Sequence, residues 1–281
     1  MANHIFSKIE DDFISDNYKY MTLKEISLKL GLTESQVKHR IQRHLKLNMD
    51  KRKKYNHNKD FFKSNSGDMF YILGLIYADG NIYDDGRNNH GKVSISLLKS
   101  DRYLLEQISS MLCNSVGPVK DRKNENMCEL TLYSKEIYND LQVLGVTERK
   151  SLTLTFPNFI EKESDIKHFV RGYFDGDGCF STTKAKDSTY IKPTFSAVGT
   201  EQFLEELSKV LNRFVKVNLK TPEKTKSKIF NLRYTTRQCR SIMDWMYSND
   251  EEFLYLKRKY DKYNMYKEKV QRLIVEPSGS R

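Results

Sequence analysis

The stretch ILGLIYADG, residues 72–80, returns 98 residues later as VRGYFDGDG, residues 170–178. Both end in an Asp-Gly pair, Asp79–Gly80 and Asp177–Gly178, and both carry small residues four apart, Gly74 with Ala78 and Gly172 with Gly176. Residues four apart share one face of a helix, so each stretch reads as a helix with a stripe of small side chains. Such a stripe lets two helix backbones approach closely. Glycine inside a helix costs about 1 kcal/mol relative to alanine, and close packing is what offsets it. The two helices are therefore expected to pack on each other.

The segments behind the two stretches repeat as well. A strand and a turn lead to KVSISLL (92–98) in the first copy and IKPTFSAV (191–198) in the second. Amphipathic helices come next, DRYLLEQISSMLC (101–113) and EQFLEELSKVLNRF (201–214), their apolar residues at helical spacing. A second strand pair and a further helix complete each copy: 117–145 in the first, 217–248 in the second. The order helix-strand-strand-helix-strand-strand-helix is thus written twice. A period of 98 residues is too long for a solenoid and suits a duplicated domain about a pseudo-twofold axis.

The two nonapeptides, with the repeated elements behind them, resemble the paired motifs of the LAGLIDADG homing endonucleases, and the likeness runs over roughly residues 67–270. It implies an α+β fold: a duplicated αββαββα core with pseudo-twofold symmetry. The implied activity is metal-dependent cleavage of both strands of a long, asymmetric DNA site by a monomer. By resemblance the last acidic residue of each motif, Asp79 and Asp177, holds the metal. The residues themselves support this. A carboxylate at a helix C-terminus is disfavoured by roughly 0.3–1 kcal/mol, and two side by side repel. A shared divalent cation explains the placement, and oxygen ligands without a histidine cluster suit Mg2+. The first copy departs from the motif at Tyr77, where an earlier acidic residue is usual; the second keeps Asp175. The resemblance further implies a lysine near each scissile phosphate, matched here by Lys150 and Lys257, and a polar residue ending the second strand, matched by Lys99 and less closely by Thr200. It places DNA on the sheets, where IFNLRYTTR (229–237) would offer Asn231, Arg233 and Thr235 on one face, with Arg237 just beyond.

Ahead of this core, residues 1–48 read as a small all-α helix-turn-helix module. Ile5, Phe6, Ile9, Phe13 and Ile14 form one apolar set. Thr22 with Glu25, and Thr33 with Gln36, are capping boxes; Gly31 supplies the turn between two helices. Leu23, Ile26 and Leu30 face Val37, Ile41 and Leu45, leaving Lys38, His39, Gln42, Arg43 and Lys46 on the outer side of the second helix. That is the arrangement of a recognition helix. Residues 49–66 read as a basic linker whose run Lys51, Arg52, Lys53, Lys54 would track phosphates. The domains expected are then 1–48, the linker 49–66, core halves 67–162 and 163–270, and a tail 271–281.

Composition fits a nucleic-acid partner. Lys and Arg number 48 against 37 Asp and Glu, a net charge of +11, which favours a polyanion. The four cysteines are far apart, against both zinc and a disulfide framework. YNHNK (55–59) offers only one histidine and lacks the flanking elements of a ββα-metal nuclease. No segment is apolar enough to span a membrane, and the opening MANHIFSKIEDD has no signal-peptide core. The expected location is cytoplasmic, nucleoid-associated, or organellar, and not secretory. The partner expected is double-stranded DNA, with a group I intron RNA the further partner the resemblance admits. The alternative is a non-catalytic nucleic-acid-binding relative, an RNA maturase or transcription regulator. Regulators tend to lose the carboxylate pair, and this chain keeps it.

Overall fold

The computed structural model describes residues 4–18, 21–47, 55–84, 91–184, 186, 190–226, 229–248 and 253–275. Its first elements are α1 (Lys8–Asn17), α2 (Leu23–Leu30) and α3 (Glu34–His39), the last continuing as a π-helical turn over Arg40–His44. Both expected capping boxes form, Gly31 adopts the left-handed φ of 65° that ends α2, and Ser7 with Glu10 adds a third box. Ile14, Ile26, Val37 and Ile41 make a core separate from the rest. Ile5 and Ile9 do not join it: they are 90% and 81% exposed. Phe6, Phe13 and Ile14 already cover that side of α2 and α3.

The first half continues as α4 (Gly67–Asp79), β1 (Gly80–Tyr83), β2 (Lys92–Leu98), α5 (Arg102–Cys113), β3 (Val119–Asp121), β4 (Met127–Tyr133) and α6 (Lys135–Val143). The second half repeats it with α7 (Glu163–Asp177), β5 (Gly178–Lys184), β6 (Ile191–Gly199), α8 (Glu201–Val215), β7 (Glu223–Lys224), β8 (Phe230–Thr235) and α9 (Thr236–Tyr247). The two antiparallel sheets run β1-β2-β4-β3 and β5-β6-β8-β7. The duplicated αββαββα order is the one expected. A last helix, α10 (Lys257–Val275), has no full counterpart in the first half, where a single 3-10 turn at Lys150–Leu152 stands instead. It also carries helix five residues into the expected tail, 271–275.

Packing sets the layers. One face of each sheet is apolar: Ile82, Val93, Ile95, Leu130 and Leu132 in the first, Phe180, Phe195, Ala197, Leu232 and Tyr234 in the second, all buried. Residues 69–77 of α4 are buried without interruption because this helix lies between the halves, against α7. The segment read as a linker is tied down from residue 55 on. Phe61 and Phe62 are buried in the main core, Asn58 N–H donates to Leu112 O at 2.7 Å, and Lys59 pairs with Glu136. Two adjacent phenylalanines were the apolar signal within an otherwise polar stretch.

Candidate active site

The two motif helices touch at their glycines. A Cβ built on Gly74 would lie 2.1 Å from Phe169 O, and one on Gly172 would lie 2.0 Å from Tyr71 O. Backbone meets backbone there, which only glycine permits. Further along, a Cβ on Gly176 would lie 2.3 Å from Ala78 Cβ and 3.1 Å from Asp79 Oδ2. Asp79 therefore sits against the residue preceding Asp177, and the two carboxylates meet where the helices end. Each helix then turns directly into a strand. Gly80 N–H donates to Ile76 O and Gly178 N–H to Phe174 O; a side chain at either glycine would strike that same turn.

Electrostatics at the paired ends is strained. Burial raises the Asp177 carboxyl to about 6, Asp79 pushes it the same way, and Lys150 and Lys259 oppose. Asp79 is also raised by burial, against the pull of Lys259, Lys150 and Arg258. Asp79 is open to solvent and Asp177 partly so, so both remain accessible although protein surrounds them. Neither accepts a hydrogen bond from a described residue.

The two lysines are placed alike. Lys150 Nζ donates to Ala78 O at 2.8 Å and Gly80 O at 2.6 Å. Lys259 Nζ donates to Phe174 O and Asp175 O, both at 2.7 Å, to Gly176 O at 3.3 Å and to Gly178 O at 2.6 Å. Each ammonium thus satisfies the last carbonyls of one motif helix and opposes the negative end of its dipole. Burial lowers the pKa of both, Lys259 to about 8.

Lys259, and not Lys257, is the counterpart of Lys150. Lys257 opens α10 and is exposed. Leu254 and Leu256 are buried, and the first helical turn then brings Lys259 inward beside them. The sequence signal was an Arg-Lys doublet in each half, Arg149–Lys150 and Arg258–Lys259. Lys99 is not brought to the pair either: it forms an ion pair with Asp121 at 3.3 Å on the edge strand. Thr200 caps α8 and donates through Oγ1 to Leu154 O at 2.5 Å. Tyr77, at the departure from the motif, donates to Leu144 O at 2.5 Å, while its counterpart Asp175 accepts from Tyr71 OH and Leu256 N–H, both at 2.7 Å.

The outer faces of the sheets are polar. In the second, Arg233 is exposed in a row with Ser196 and Cys179, and Thr235 lies in a row with Thr194 and Ser181. Asn231 shares that face, its Oδ1 buried and unpartnered among the described residues. Leu232 and Tyr234 point inward. Arg237 is exposed in the first turn of α9. On the N-terminal helices Lys38, His39, Gln42, Arg43 and Lys46 are all exposed, whereas Arg40 is held by Asp11 at 2.6 and 2.7 Å. Arg52 lies outside the described residues.

Residues 164–242 match the model of the LAGLIDADG-like domain. Among solved structures the fold resembles the I-SmaMI LAGLIDADG homing endonuclease bound to cleaved DNA, with TM-score 0.52, 12% identity, and coverage of 74% of this chain and 91% of that one. It also resembles the I-LtrWI LAGLIDADG homing endonuclease bound to target DNA, with TM-score 0.51, 14% identity, and coverage of 78% and 92%. The chain has the LAGLIDADG homing-endonuclease fold, with both of its motif helices on the dyad. A curated relative, a probable translation initiation factor IF-2 of Thermococcus kodakarensis, is 32% identical over 172 residues, 60% of this chain. This chain spans only 13% of that relative's length.

Proposed function

We propose that the protein is a metal-dependent, site-specific DNA endonuclease that cuts both strands of a long asymmetric target as a monomer. The observation carrying this reading is the meeting of Asp79 and Asp177 at the abutting ends of α4 and α7, crowded by protein, with no described hydrogen-bond donor, and with a lysine, half-buried Lys150 or buried Lys259, held at each helix end. Such a pair weakens the apo fold, and a function explains why it is kept.

The donor set fits a hard divalent cation. No group of three or more His, Cys, Asp or Glu side chains stands together among the described residues, so Asp79 and Asp177 would supply two carboxylates and phosphate oxygens and water the remaining ligands. Bound Mg2+ supplies Lewis acidity and an activated water for in-line hydrolysis. The protein's own groups then have distinct tasks. Asp79 and Asp177 orient the site on the axis relating the two strands. Lys150 and Lys259 hold the helix ends in place and oppose charge that builds on the phosphate. Asn231, Arg233, Thr235 and Arg237 face the duplex from the second half. The N-terminal helices act as an accessory DNA reader through Lys38, His39, Gln42, Arg43 and Lys46.

The test is cleavage of a plasmid library of randomised sites with Mg2+. Wild type should linearise a defined subset. Asp79→Asn and Asp177→Asn should abolish linearisation while retaining most affinity, and Ca2+ in place of Mg2+ should permit binding without cutting. Near-wild-type cutting by both variants would remove the assigned site. An obligate dimer on one DNA site, seen by sedimentation, would remove the monomeric reading.

A further inference from the structure

The segment that delivers Lys259 to its helix end is held from across the dyad. α10 begins at Lys257, so the N–H groups of Leu256 and Lys257 have no partner within the helix. Leu256 N–H donates to Asp175 Oδ2 of α7 at 2.7 Å. Lys257 N–H donates to Tyr103 OH at 2.5 Å, and that hydroxyl donates in turn to Tyr255 O at 3.3 Å. Arg258 Nε donates to Asp101 Oδ2 at 2.8 Å. Asp101 and Tyr103 belong to the first half, at the start of α5. Asp101 is almost fully buried, at 3% exposure of its side chain. Burying a carboxylate is costly unless a partner compensates it, and the one partner described for it is the residue before Lys259.

The pseudo-twofold is broken at this point. Counterparts of Asp101 and Tyr103 at the start of α8 are Thr200 and Gln202. Thr200 reaches Leu154, four residues beyond Lys150. Among the described residues, the backbone of 148–151 makes no hydrogen bond to the second half. Lys150 instead stands in a short 3-10 turn whose own carbonyl accepts from Thr153 and Leu154. One lysine is therefore positioned locally, the other by a grip from the opposite half.

We propose that Asp101 and Tyr103 are positioning residues for Lys259, and that through it they govern cleavage of one DNA strand only. The proposal rests on the endonuclease reading: a duplex lying across the dyad offers one scissile phosphate to each half, and so to one lysine. Loosening the start of α10 slows the cut on the strand served by Lys259, while Lys150 and the other strand are untouched. A nicked intermediate then accumulates. A merely structural role for the two residues would slow both strands together.

The experiment uses the full chain, Mg2+ and a cleavable site in two forms: a supercoiled plasmid, and a linear duplex with each strand end-labelled in separate reactions. Tyr103→Phe removes only the hydroxyl; Asp101→Asn keeps the shape and removes the charge. Each should lower the rate on the same single strand by roughly three- to tenfold, the range that one such bond spans, with the other strand at the wild-type rate. Open circles should precede linear product. The two variants break independent bonds, so either one that keeps the wild-type urea midpoint suffices. Equal loss on both strands, opposite strands affected by the two variants, or no loss in either would overturn the proposal. Wild type that nicks neither strand would instead remove the endonuclease reading itself, and this inference with it.

Discussion

Replacing Gly172 by Ala tests the physical basis of the dyad. The added Cβ would lie 2.0 Å from Tyr71 O and 2.9 Å from Leu75 N, where ordinary contact begins at 3.4 Å. Both obstacles are backbone of α4, so no rotamer change relieves them, and the helices must separate by about 1.4 Å. Two effects compete. Alanine gains about 1 kcal/mol in helix propensity over glycine. Overpacking a close-packed core costs about 1–3 kcal/mol, more when backbone must move, and here it also pulls apart the buried faces around Tyr71 and Tyr173. Overpacking wins, for a net loss of about 2 kcal/mol, or roughly 4–8 °C in Tm for a domain of this size. Urea and thermal unfolding of the metal-free protein would measure it. Gly176→Ala meets a side chain instead, Ala78 Cβ at 2.3 Å, so the pair Gly176→Ala with Ala78→Gly should recover part of what Gly176→Ala loses. A Gly172→Ala protein as stable as wild type, or more so, would refute the backbone-to-backbone packing of α4 and α7.

Three further outcomes are expected. Asp177 has its carboxyl raised from 3.8 to about 6, so its contribution to stability is full below pH 3.8 and is lost as pH rises through 6. Asp177→Asn should therefore stabilise the metal-free protein at pH 7.5 by at most about 3 kcal/mol, at 1.36 kcal/mol per pH unit, with the gap closing as pH falls towards 4; urea unfolding in chelator checks both ends. Lys259→Met should cost far more cleavage than Lys257→Met, because four carbonyls lose their donor in the first and no described side-chain bond is broken in the second; single-turnover assays decide, and equal loss would return the role to Lys257. Deleting residues 1–54 should preserve folding and cutting and lower affinity. It should also flatten the log–log salt dependence by about 0.9 for every phosphate no longer neutralised, since the docked part of the connection starts at Tyr55. Deleting through residue 62 should destabilise the protein, because Phe61 and Phe62 leave the core. Unchanged affinity and salt slope in the shorter truncation would make the N-terminal helices an appendage without a DNA role.

What the residues determined by themselves were the features that local spacing encodes. Small residues four apart marked the faces of α4 and α7 that meet, Asp-Gly marked where they stop, and the period of 98 fixed the duplication together with the order of its elements. The capping boxes and Gly31 likewise marked the ends of the N-terminal helices, because a cap is a bond between residues three apart. Alternation in FNLRYT by itself divided Arg233 from Leu232 and Tyr234. Only the tertiary structure decided between Lys257 and Lys259. They are two residues apart on one helix, and which of them turns inward depends on where α10 begins, a point set by Asp175 and Tyr103 some 80 and 150 residues away. The same holds for Lys99, drawn to Asp121 on the edge strand, and for Phe61 and Phe62, whose turn packs against α6. Local pattern specifies which face of an element is apolar or small; the partner a long charged side chain finds is chosen by parts of the chain far away in sequence, and it exists only once they have packed.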